Sequence, residues 1–166
     1  MHEEMFATDG EVQLVVFDLG NEEFGAEISQ VREIIKMAKI TRMPRAPEFV
    51  DGVINLRGKI ITVINLSKRF DLSIGERGEG TRIVVIEVGD TTMGMVVDSV
   101  TEVLRIDAAD IEPPSSVMMG GIDAAYLQGV GKLGDRLLIL LDLGKIFTER
   151  ELTQIETVTE KGMLEV

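Results

Sequence analysis

The sequence predicts a mainly β fold with short helices, arranged as two five-stranded antiparallel β-barrels related by internal duplication. Three observations carry this. Gly52–Phe70, GVINLRGKIITVINLSKRF, returns as Gly129–Phe147, GVGKLGDRLLILLDLGKIF, so that Gly52 falls on Gly129, Leu56 on Leu133, Lys68 on Lys145 and Phe70 on Phe147. Val15–Gly20 returns as Val84–Gly89 and Val31–Ile34 as Val100–Val103, which extends the duplication over nearly the whole chain. Finally, about five short strands per copy with only a terminal short helix do not suit a parallel α/β sheet, which needs a helix between successive strands. Small closed barrels remove exposed strand edges and can bury apolar surface against each other.

The elements follow in order. Residues 1–11 read as a mobile tail, charged and without periodicity. Val12–Leu19 is an apolar strand, Gly20-Asn21 a turn, and Glu23–Ile28 the returning strand. Ala38–Pro47 is a loop containing Pro44 and Pro47, and Pro47 is placed to open a short helix, PEFVD, that stops at Gly52. A hairpin turn at Leu56-Arg57-Gly58-Lys59 leads into the aliphatic run Ile60–Ile64. Asn65 is then a good helix N-cap for Leu66–Phe70, because its side-chain oxygen can accept from an orphan backbone N–H. The glycine-rich GERGEG, Gly75–Gly80, reads as a linker.

The second copy repeats this plan, with a turn at Leu133-Gly134-Asp135-Arg136, a run Leu137–Leu141, a cap at Asp142 and a helix over Leu143–Leu152. The early matches are offset by 69 positions and the later ones by 77, so the second copy carries eight extra residues between Val103 and Gly129, where Pro113-Pro114 and Gly120-Gly121 mark a loop. Residues 12–152 therefore form one domain of two intertwined barrel subdomains, with repeat units at about 12–70 and 81–147. The polar pattern of 153–166 suggests a helix fraying into a tail.

Composition bounds the function. At 166 residues the chain is long enough for a core without disulfides, and it has no cysteine, which removes thiolate catalysis and cysteine metal ligation. The start MHEEMFATDGE lacks a basic region and an apolar core, and no apolar run nears the length of a membrane span. A soluble cytoplasmic protein without direct membrane insertion is expected. The formal charge of −12 argues against a general nucleic-acid binder, as does a chain with one tyrosine and no tryptophan to stack on bases. Residues 1–31 contain no Lys or Arg, whereas 32–82 hold eleven against six acids. That locally basic middle is either a solvated surface or a patch facing an acidic protein partner.

Catalytic constellations are missing. No G-x-S-x-G elbow, H-E-x-x-H pair or calcium loop occurs, and Gly129-Val130-Gly131-Lys132 lacks both the glycine spacing and the hydroxyl of a P-loop. No catalytic residue, cofactor or metal is expected. The lone histidine, His2, lies on the tail and is assigned nothing. Met93, Met95, Met118 and Met119 read as core-filling residues ahead of an adaptable binding surface.

The duplication also sorts candidate sites. Residues shared by both copies are those the fold requires, whereas an exposed residue found in one copy is freer to serve a partner. Arg57 falls on Gly134 and Asn55 on Lys132, which marks both as candidates; a multi-donor guanidinium beside an apolar surface is favoured at interface hot spots. Val31 and Glu33 recur as Val100 and Glu102, which favours a structural role.

GVINLRGKIITVINL at Gly52–Leu66, VREI at Val31–Ile34, the PEF before the glycine, and the late GVGKLGDRLLILLDL together resemble the CheW family of chemotaxis coupling proteins over about residues 12–150. Thr62 departs from the proline common there in the family, an exchange expected to be tolerated at a strand edge. The resemblance implies two SH3-like barrels in a non-enzymatic adaptor joining methyl-accepting chemoreceptors to the histidine kinase CheA in bacterial or archaeal chemotaxis. The alternative is a similar adaptor of another two-component pathway. It implies recruitment to membrane receptor arrays through partners, with the receptor's helical hairpin tip lying between the barrels. The family's receptor-contact positions fall on Val31, Glu33, Gly52, Arg57 and Val103, to which the duplication adds Asn55. Binding to the CheA regulatory domain is implied as well, through pseudo-symmetric contacts at barrel ends whose residues stay unassigned.

Overall fold

The computed structural model describes residues 10–72, 77–114 and 124–165. His2, Met118, Met119 and Gly120-Gly121 lie outside the described residues, as do most of the predicted tail and the start of GERGEG. The first copy provides β1 (Glu11–Leu19), β2 (Glu22–Glu27), β3 (Val31–Lys36), β4 (Val50–Leu56), β5 (Lys59–Asn65) and α1 (Leu66–Arg69). The second provides β6 (Arg82–Val88), β7 (Thr91–Val97), β8 (Ser99–Asp107), β9 (Ile111–Glu112), β10 (Leu127–Leu133), β11 (Arg136–Leu141) and α2 (Glu149–Glu165).

Two sheets form, and each draws on both copies. One runs β8-β1-β2-β11-β10-β9 and the other β3-β6-β7-β5-β4. The first hairpin of each copy is thus exchanged: β1-β2 joins the later strands of the second copy, and β6-β7 joins those of the first. Most pairings are antiparallel, as expected, but β2 pairs with β11 and β5 with β7 in parallel. These are the joins between an exchanged hairpin and its host. Strands so far apart in sequence are free of the hairpin constraint that enforces antiparallel pairing. One sheet also has six strands where five were expected, because the two-residue β9 adds to β10.

Three apolar clusters follow from strand alternation. Leu138 and Leu140 of β11 point into a cluster with Leu14, Val16 and Ile106, inside the first sheet. Ile61 and Val63 of β5 point into the other sheet's cluster with Ile54, Ile83 and Val85. The intervening residues, Ile139, Leu141, Ile64, Val84 and Ile86, face a larger shared core between the sheets. Strands buried on both faces explain the near-continuous aliphatic runs of the sequence. The aromatics among the described residues gather in the shared core: Phe17 stacks on Phe24 at 5.9 Å and Phe24 on Phe70 at 6.4 Å. Met93 and Met95 are fully buried there, as the core reading expects.

Five local expectations are corrected. No helix forms over PEFVD; Val50 N donates to Pro47 O in a turn and the chain enters β4 directly. Gly52 therefore does not close a helix but sits within β4, where the register with β5 shifts. The helix expected over Leu143–Leu152 is broken into a 3-10 turn at Leu143–Lys145, capped by Asp142, and the separate α2. Thr148 starts α2 with a reciprocal capping box, its N–H donating to Glu151 Oε1 at 2.9 Å and its Oγ1 accepting from Glu151 N at 3.1 Å. Nor does the chain fray over the described residues 153–165: α2 runs to Glu165 and buries Ile155 and Val158. Thr62 lies in an interior strand, not at an edge, and its fully buried hydroxyl meets Ile155 O at 3.1 Å and Thr159 Oγ1 at 2.7 Å on α2.

Candidate partner-binding surface

Arg57 stands at the tip of the β4-β5 hairpin, where Arg57 and Gly58 have φ of 52° and 89°. Consecutive positive φ values are those of a type I′ turn, whose twist matches the flanking strands. Asn55 is spoken for by this turn, since its Oδ1 accepts from Gly58 N at 2.7 Å. The turn aims Arg57 across to β3, where its two Nη groups donate to Glu33 at 3.1 and 2.6 Å. β3 and β4 are at opposite ends of the sheet order, so this bidentate pair joins the two edges of a sheet that curls back toward itself. Hydrogen bonds from Arg57, with its charge adding, hold the Glu33 carboxyl below the usual carboxylate range. Most of the Arg57 side chain, 69 %, is nevertheless exposed.

The second sheet edge is fastened in the same way, which corrects the inference drawn from the Arg57–Gly134 alignment. Arg136, two positions beyond Gly134, donates to Glu102 at 2.8 Å and to Glu23 at 2.9 Å. Glu102 is the counterpart of Glu33, so both copies place an arginine from the hairpin turn on the same carboxylate, from different turn positions. The pair serves the architecture, and exposure, not uniqueness, is what leaves Arg57 available to a partner.

Val31 and Glu33 share β3, with Val31 half-buried against the shared core. Gly52 is buried and has φ 148°; a Cβ there would lie 2.2 Å from Thr41 O. It is a packing position beneath the loop that precedes β4. Gly129 repeats this, with a Cβ meeting Glu112 O at 2.5 Å. Val103 is 50 % exposed but lies on β8, in the other sheet from Val31, Glu33, Asn55 and Arg57. The structure therefore brings Glu33, Asn55 and Arg57 together around one hairpin tip, with Gly52 further back along β4 and Val103 on the other sheet. Ile34 was missed: it is 37 % exposed beside Glu33 and is the aligned counterpart of Val103. Those two exposed β-branched residues at matched positions were readable in the repeat alignment.

Residues 13–151 match the CheW-like domain family. The chain belongs to the CheW family. A chemotaxis protein CheW of Treponema pallidum is 37 % identical over 155 residues, covering 91 % of each chain. One from Klebsiella aerogenes is 36 % identical over 148 residues, covering 89 % of each. The crystal structure of the scaffolding protein TtCheW from Thermoanaerobacter tengcongensis superposes with a TM-score of 0.78 at 38 % identity, over 87 % of this chain and 93 % of that one. CheW membership makes this chain a non-enzymatic chemotaxis scaffold, and no helix among its described residues is long and apolar enough to cross a membrane.

Proposed function

We propose that this CheW-like chain couples methyl-accepting chemoreceptors to the regulatory domain of CheA, working in the cytoplasm and reaching the membrane only through these partners. The receptor tip is assigned to the surface around Glu33 and Arg57, with Val31 at its base and Val103 on the other sheet. The observation that carries this reading is the Arg57 guanidinium, fixed by a bidentate pair yet mostly open to solvent. Such a preorganised, multi-donor group recognises a partner with little further ordering cost. Asn55 supports the turn, and Gly52 supports the adjoining loop.

The test is reconstitution of receptor-containing vesicles with CheA and this chain. CheA autophosphorylation should rise only when all three are present. Unchanged autophosphorylation, together with no co-sedimentation of the chain with receptor vesicles, contradicts the proposal.

A further inference from the structure

The end of β3 and the loop from it to β4 carry Lys36, Lys39, Arg42 and Arg45, with no acid from Ile34 to Pro47, in a chain whose formal charge is −12. All four are exposed. None has a carboxylate within ion-pair distance among the described residues, although Arg32, Arg57, Arg69, Arg77, Lys132 and Arg136 are all paired elsewhere. The loop is also held in place. Thr41 exchanges two backbone hydrogen bonds with Val53, at 2.8 and 2.9 Å, Met43 is buried against Val53, Ile60 and Val158, and Gly52 lets the Thr41 carbonyl sit directly on β4. Arg45, at φ 64°, stands between two shallow grooves, one reaching Lys68 and the other reaching Lys161 of α2. The acids bordering them are Glu48 and Asp51, and Asp51 is engaged by Arg77.

The duplication shows that the fold does not require this charge. Lys36 pairs with Arg82 as Arg105 pairs with Gln13, so Lys36 has a basic counterpart, but Ile111 and Glu112 pack on Gly129 as Ile40 and Thr41 pack on Gly52, which sets Asp110 opposite Lys39 and Pro113 opposite Arg42. The second copy thus builds this corner with an aspartate and a proline where the first has Lys39 and Arg42. Charge that the fold can do without is free for recognition. Clustered, unpaired cations on a pinned loop keep their desolvation and ordering costs low when an opposite charge arrives. Extended polyanions are disfavoured, because the rest of the acidic surface repels them over a screening length of about 8 Å.

From these observations we infer that the Lys36–Arg45 loop is a docking site for a short acidic segment of another protein, carboxylates meeting Arg42 and Arg45. The inference stands apart from receptor coupling through Arg57 and survives if that reading fails.

The test is fluorescence anisotropy of the full chain with a labelled helical peptide of about 15 residues, long enough for marginal helicity, bearing a glutamate on every turn, against the same peptide with glutamines. The glutamate peptide should bind, and Arg42→Glu with Arg45→Glu should weaken it about tenfold or more, as for loss of two complementary charges. Arg105→Glu with Arg150→Glu, the same charge change at two other exposed positions, should leave binding within about twofold, as screened distant charges do. Equal weakening by both double variants, or no preference for glutamate over glutamine, overturns the proposal. So does concentration-dependent self-association in sedimentation velocity that Asp107→Lys and Asp110→Lys abolish, since the loop's occupant would then be a second copy. Matching melting curves for the two double variants ensure that weakening is not unfolding.

Discussion

Arg69 donates two hydrogen bonds to the carbonyl of Ile146, at 3.2 and 2.8 Å, and these two residues are aligned counterparts in the duplication. The two copies meet where α1 of one touches the 3-10 turn of the other. The guanidinium also bonds Tyr126 and Glu151 and lies 5.0–5.8 Å from the ring centres of Phe49, Tyr126 and Phe147. Replacing it leaves buried acceptors without a donor inside an aromatic cage.

Arg69→Leu is therefore expected to destabilise by about 3 kcal/mol, the scale of a partly buried charge network broken on one side. That corresponds to a melting temperature lower by roughly 6–12 °C for a domain of this size. Arg69→Lys should restore little, because an ammonium cannot reproduce the fork of donors. A thermal melt of each variant decides it; a loss below a few degrees for Arg69→Leu would show the cage to be dispensable.

Gly52→Ala and Gly129→Ala should each destabilise strongly, by about 3 kcal/mol or more, since a Cβ would press on a backbone carbonyl that cannot move aside like a side chain. At Gly52 the positive φ adds strain. Denaturant titration reports both. A Gly134→Ala control, at a turn position with open space around it, should cost only about 1 kcal/mol from its φ of 57°.

Thr62→Val tests how α2 is seated. It keeps the shape but removes the donor to Ile155 O and the contact with Thr159, for a cost of about 1–2 kcal/mol. Amide exchange should accelerate in α2 more than in β1 or β6. Uniform acceleration would mean that the helix unfolds only with the whole domain.

Glu33 gives a pH signature. Its folded-state carboxyl is depressed by Arg57, so the stabilisation it contributes is present above the ordinary carboxylate range and is lost as pH falls through the depressed value. In Arg57→Ala the Glu33 side-chain titration, followed by carboxyl carbon NMR, should move up toward the ordinary range. An unmoved midpoint would show the pair to be broken in solution.

The sequence made the strands, the hairpins and the duplication legible, because alternation, turn residues and repeated glycines are local signals. The exchange of hairpins between copies was not legible: Phe24 beside Ile139 and Met93 beside Thr62 are long-range pairings that no local pattern encodes. The T-x-x-E pattern at Thr148–Glu151, which the expected Leu143–Leu152 helix passed over, marks where α2 begins, and the break after Lys145 follows from it. At the candidate surface Glu33, Asn55 and Arg57 were found from motif and alignment. The second arginine clip was hidden, because Arg136 aligns with Lys59 and reaches its glutamate from a different turn position. Gly52 is constrained not by a helix end but by the loop just before β4, whose Thr41 carbonyl lies against it.

The central claim is that the Arg57 surface recognises the receptor beyond fastening its own sheet. Because Arg136 and Glu102 repeat the clip, a charge swap separates the two roles. Arg57→Glu alone should leave the melting temperature nearly unchanged, as expected for a solvent-screened exposed pair. Glu33→Arg combined with Arg57→Glu re-forms the ion pair with reversed polarity. Co-sedimentation with receptor vesicles is the decisive measurement: the account predicts that both variants lose receptor binding about tenfold or more, as at an interface hot spot. Recovery of wild-type binding in the double variant would contradict it, because the pair would then matter only as an internal clasp.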